Sequence, residues 1–132
     1  MEDGTYRTYT PTGTRMHIEP KPVHYQNGYQ VGIIEGTWLK IHPNKETFTR
    51  PETLVHRQNE LNIRIVNALV ECAQETNASF VGVWADEKTD IIHIDPSLKI
   101  HHRVNAVQMA EKNNQLSIWD WENMEEIVKA DW

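Results

Sequence analysis

The stretch Lys99-Ile100-His101-His102-Arg103 carries basic side chains immediately before a predicted helix start. A helix N-terminus leaves backbone N–H groups unpaired and a partial positive charge, so it draws anions. Lys99, His102 and Arg103 are therefore candidates to hold a phosphate. Trp84, Trp119 and Trp121 would offer a flat surface on which a base stacks. The plainer reading of the same residues is a solvated rim around core tryptophans. His93 and Asp95 form a second candidate, projecting from the same side of one predicted strand. Imidazole and carboxylate suit a transition metal, yet their spacing with His101 and His102 matches no metal motif, and no metal or other cofactor is expected. The same pair suits general acid–base work near neutral pH. Against catalysis, the chain has no nucleophile elbow, no glycine-rich phosphate loop and no paired-carboxylate signature. Cys72 falls within a predicted helix stripe, where a thiol is inert.

The elements that must position these residues follow from periodicity. Phe80 to Asp86 alternates, with Phe80, Gly82 and Trp84 on one face and Val81, Val83 and Ala85 on the other. A turn over Glu87-Lys88-Thr89-Asp90 leads to a strand with Ile92 and Ile94 opposite His93 and Asp95, closed by Pro96-Ser97. A short helix over 103–113 buries Val107 and Ala110, with Ala106 or Met109 beside them. Strands follow at Leu116 to Trp119 and, after a turn at Asn123, at Glu126 to Lys129. Upstream lies one long helix. Thr49 serves as N-cap, Pro51 and Glu52 suit the first turn, and the helix runs to about Glu75 with Asn77 as its stop. Leu54, Leu61, Ile65, Leu69 and Cys72 make one stripe, widened by Val55, Ile63, Val66 and Ala73. So wide a stripe implies a helix covered by a sheet or shared with another subunit.

Between Arg15 and His42 the signals are those of a meander. Pro20 and Pro22 fix an extended entry, and Asn27-Gly28 predicts a hairpin between VHYQ and YQVGII. Glu35-Gly36 then turns into TWLKIH, which Pro43-Asn44 ends. Residues 1–14 read as a flexible N-terminal arm, with Tyr6 and Tyr9 available to pack elsewhere. The fold class expected is α+β: an antiparallel sheet with one long and one short helix, a ferredoxin-like βαββαβ core and an N-terminal hairpin. Residues 15–132 would form its single domain.

The 132 residues carry a formal charge of −6. That balance disfavours general nucleic-acid binding, which gains from a basic face, while a local basic pocket still suits a small anion. One cysteine precludes an internal disulfide. With no apolar run of membrane-spanning length and no signal-peptide core, the expectation is a cytoplasmic protein without membrane contact. Asn77-Ala78-Ser79 is a chance match to a glycosylation acceptor. The large rings Tyr25, Tyr29, Trp38 and Trp132 point to an interface, most simply a homo-oligomer.

The segment NNQLSIWDWEN (Asn113 to Asn123), preceded by FVGVWADEKTDIIHIDPS (Phe80 to Ser97), resembles small proteins carried by phages and plasmids. The likeness covers the last third of the chain. By analogy with phage anti-Thoeris sponges, it implies a non-enzymatic accessory, anti-defence protein that sequesters a small anionic, nucleotide-like ligand. Lys99, His102 and Arg103 would take phosphate, Trp84 or Trp119 would stack, and His93 would lie alongside. Two other classes compete with this reading: a protein–protein inhibitor or adaptor without a small ligand, and a small phosphodiester hydrolase using His93 and Asp95.

Overall fold

A computed structural model describes residues 2–10, 15–45 and 54–132. The helix start expected at Thr49, Pro51 and Glu52 lies outside the described residues. In chain order the elements are β1 (Gly4–Tyr9), β2 (His17–Ile18), β3 (Tyr29–Gly32), β4 (Leu39–Ile41), α1 (Leu54–Thr76), β5 (Phe80–Ala85), β6 (Ile92–Ile100), α2 (Arg103–Lys112), β7 (Ser117–Asp120) and β8 (Glu125–Val128). The fold is α+β. One eight-stranded sheet runs β2-β1-β5-β6-β3-β7-β8, with β4 also on β6, and every pairing is antiparallel.

Both helices cover the same face of this sheet. Val83 pairs with Ile94 and Val31 with Leu98. Because side chains alternate along a strand, Ile92, Ile94, Leu98 and Ile100 of β6 share one side. α1 lies over the β5, β6 and β2 half and α2 over the β3 and β7 half. Under α1, Ile65, Leu69 and Cys72 bury against Tyr6, Val81, Val83 and Ile94. Under α2, Ala106 and Ala110 bury against Val31, Ile118 and Ile127. Burial pushes the Cys72 thiol up to about 12, so it stays protonated and unreactive. α1 stops where expected. Asn77 adopts φ 54°, its N–H reaches the Ala73 carbonyl at 2.9 Å, and the Thr76 hydroxyl donates to the Cys72 carbonyl at 2.6 Å. Of the residues expected to widen the α1 stripe, Ala73 is buried, whereas Val55, Ile63 and Val66 are 66, 60 and 38% exposed. Among the described residues, nothing covers these three.

Three expectations are corrected. The segment read as a flexible arm supplies β1, whose Tyr6 is 1% exposed and pairs with Val81. The hairpin at Asn27-Gly28 does not form. Gly28 does turn, at φ 88°, but β3 is already paired with β6 on one side and β7 on the other, leaving no edge for VHYQ. That segment instead crosses the helix-free face, where the Tyr25 ring packs edge-on against Phe80 and Trp121. Finally, β6 does not close at Pro96-Ser97 but runs on to Ile100. Proline cannot donate to a ladder, and the Pro96 carbonyl points towards Ile33, accepting its N–H at 3.3 Å. The missing donor thus faces the gap between β3 and β4, where the neighbouring strand is interrupted by residues 33–38. Beyond the expected order of elements, β1 and β2 extend the sheet past β5, while the expected last strand forms as β8 and pairs with β7.

Candidate functional site

Strand alternation sends one set of β5 and β6 side chains into the core and the other set onto the face that neither α1 nor α2 covers. On that face stand Gly82 and Trp84 of β5, and His93, Asp95, Ser97 and Lys99 of β6. β3 adds Gln30 and Gly32, and β7 adds Trp119, which pairs with Gln30. A groove of about 940 Å³ lies across this face, at the upper end of the ~300–1,000 Å³ usual for small-molecule sites. Gly82, Asp95 and Ser97 contribute to its floor. Trp84 borders it on β5, and Trp119 and Trp121 border it on the β7 side. Residues 22–24 and the 33–38 loop form part of the rim.

The floor is ordered by a chain of hydrogen bonds. Trp121, 6% exposed, donates its indole N–H to the Gln30 Oε1 at 3.1 Å, and the Gln30 Nε2 donates to the Ser97 Oγ at 2.8 Å. Gln30 itself is 7% exposed, so its amide is held in one orientation. One strand position away on the same face, Asp95 accepts the Trp38 backbone N–H at 3.1 Å and the Trp84 indole N–H at 3.4 Å. The Trp38 bond anchors the end of the 33–38 loop. The His93 ring stacks on Trp84, with centroids 4.0 Å apart and planes 7° from parallel, and its Nδ1 shares a hydrogen bond with the Thr37 hydroxyl at 3.0 Å. The Gln115 amide lies over Gly32 and donates to the carbonyls of Ile34 and Asn113.

The groove is acidic. Glu2, Asp3, Asp95 and Glu126 line it, and among the described residues no lysine or arginine does. Burial raises the Asp95 carboxyl above its ordinary 3.8, against the lowering effect of its two donors and of nearby His93. Ionised Asp95 therefore weighs against the folded state. Its favourable contribution is complete below about 3.8 and is lost as pH rises through the raised folded value. Asp95→Asn cannot ionise, so stability of the variant relative to wild type is expected to improve across that rise. Paired melts from about pH 3 to about pH 7 read the difference. A gap that stays constant, or moves the other way, would show that the Asp95 environment does not penalise its charge.

The residues expected to hold phosphate are spread apart. Lys99 is on the helix-free face, with its Nζ 4.3 Å from the centre of the Tyr25 ring. His102 occupies the N-cap position of α2, but its side chain makes no capping bond, and its ring meets His101 edge-on at 4.7 Å. The Arg103 guanidinium donates to the Asp131 carbonyl at 2.8 Å. None of the three borders the groove. Trp84 and Trp119 both do. His93 lies behind Trp84 as its stacking partner. Among the described residues, no three His, Cys, Asp or Glu side chains converge as metal ligands, and no helix is long and apolar enough to cross a membrane.

The chain matches no protein-family model, no curated protein and no solved structure.

Sequence reasoning placed Gly82 with Trp84, His93 with Asp95, and Trp84, Trp119 and Trp121 on one stacking surface, but it missed Gln30 and Ser97 as parts of one site. Their signal was indirect. Glycine inside a strand marks a bulge or a close approach to its face, and Gly32 and Gly82 both carry that mark beside β6.

Proposed function

We propose that this protein is a non-enzymatic binding protein that sequesters a small, flat-ringed ligand in the groove on the helix-free face. The observation that carries the reading is the groove itself: a space of about 940 Å³ bordered by Trp84, Trp119 and Trp121. Aromatic walls suit a ring by stacking, and floor groups already fixed by one another need little reordering on binding. The acidic lining favours a neutral or cationic ligand over a phosphate-bearing one. The ring of a nucleoside-like ligand thus fits better than the anion expected at Lys99, His102 and Arg103. The likeness of Asn113 to Asn123 to phage- and plasmid-borne proteins supplies the biological frame, an accessory role in anti-defence in the host cytoplasm.

Two structural readings accompany this proposal. The run β3–α1–β5–β6–α2–β7, with spatial order β5-β6-β3-β7, is the plan we take as a ferredoxin-like core, with the β3–β4 break as an interrupted first strand. Val55, Ile63 and Val66, exposed along one side of α1, are the face on which a second copy would pack.

Native mass spectrometry tests ligand and assembly together, on the protein alone and with adenosine, guanosine and their 5′-monophosphates. The expected spectrum is an oligomer that retains a nucleoside in preference to its monophosphate. A bare monomer indifferent to all four would remove the reading and turn attention to a protein partner.

A further inference from the structure

The groove's polar floor is biased towards accepting hydrogen bonds. A carboxylate offers about four lone-pair positions, and Asp95 uses two, for Trp38 and Trp84. The Gln115 amide commits its nitrogen to two carbonyls, and its oxygen lies over Gly32. Ser97 accepts from Gln30, which leaves its own O–H to donate. Asp95 and Ser97 are two residues apart on one strand, so these groups stand about 7 Å apart along the floor. The floor beside Asp95 is bare. A Cβ built on its neighbour Gly82 would meet nothing nearer than the Gly4 carbonyl oxygen at 3.6 Å. Asp3 adds negative charge at the same end of the groove, accepting the Ala85 N–H at 3.2 Å.

Resting on the binding role proposed above, we infer that the ligand carries a flat cationic head, an amidinium or guanidinium, seated over Gly82 with its N–H groups on Asp95 and an acceptor towards Ser97. Planar N–H donors match a carboxylate in pairs, which a single ammonium does not. The partly exposed Trp84 face adds attraction for such a cation.

Benzamidine, benzamide and benzoate share one ring and differ in head charge, so they separate charge from shape. The probes are titrated against the full chain while nuclear magnetic resonance follows the tryptophan indole N–H signals. Trp84, bonded to Asp95, is the reporter. The expected result is a Trp84 shift with benzamidine, at least tenfold tighter binding than benzamide, and no detectable benzoate binding. Asp95→Asn should bring benzamidine and benzamide level. Benzamide binding as tightly as benzamidine to wild type overturns the cationic head while leaving the groove as the site; this ranking requires no variant. Benzamidine binding that is insensitive to Asp95 also overturns it. If all three probes leave Trp84, Trp119 and Trp121 unmoved, the inference and the groove reading fail together.

Discussion

Tyr6→Ala is expected to lower the unfolding free energy by about 3–5 kcal/mol, the range for removing a large buried ring. Tyr6 belongs to the core cluster under α1, with Ile65, Leu69 and Val81 as fellow members, and its side chain is 1% exposed. Alanine there would remove a ring from the interior and weaken the hold of β1 on β5. Its hydroxyl, which donates to the Glu2 carbonyl at 2.5 Å, is the smaller part. Tyr6→Phe should cost about 1 kcal/mol, the net worth of one hydrogen bond. Urea unfolding of the three proteins reads both numbers. A loss below about 1 kcal/mol for Tyr6→Ala would mean that β1 is a loosely attached arm, because a docked ring cannot be removed so cheaply.

Gly82→Val is expected to abolish binding in the groove without harming the fold. The position faces away from both helices, and a Cβ there finds ordinary contact distances of 3.6 Å and beyond. Glycine in a strand interior costs roughly 0.5–1 kcal/mol relative to a residue with a side chain, and valine suits a strand. The variant should therefore melt at the same temperature or slightly higher. Its methyl groups would occupy the floor beside Asp95, and affinity for a ligand of wild type should fall more than tenfold. Calorimetric titration alongside thermal melts separates the two effects. Undiminished affinity in a well-folded Gly82→Val would move the site off this part of the groove.

The helices, β5 and the start of β6 were legible because their burial repeats with the period of the element. Phe80 to Ala85 alternates, and Asn77 stops α1 by a local preference for positive φ. What stayed hidden was decided by neighbours distant in sequence. GTYRTY has no apolar period that singles out Tyr6, and only the Tyr6–Val81 register places that ring in the core. Asn27-Gly28 is a sound turn signal, yet the hairpin lost because β6 and β7 claim both edges of β3. Pro96 reads locally as a strand end, yet β6 runs through it, opposite the stretch where β3 gives way to the 33–38 loop. Those two errors concealed the site. With β6 ended early and β3 assigned to a hairpin, Ser97 and Gln30 had no reason to meet. The basic residues before α2 drew attention by composition, while the groove has the opposite charge.

The buried clusters Tyr6–Ile94 and Val31–Ile127 all lie on the helix-covered side, whereas Gly82, Asp95 and Ser97 lie on the other. Residues of the buried core and residues of the proposed groove floor are thus adjacent in sequence but separated by the thickness of one sheet. A substitution at 82, 95 or 97 therefore alters the groove floor without removing a member of either buried cluster. Such a scaffold is suited to pursuing a ligand that itself changes.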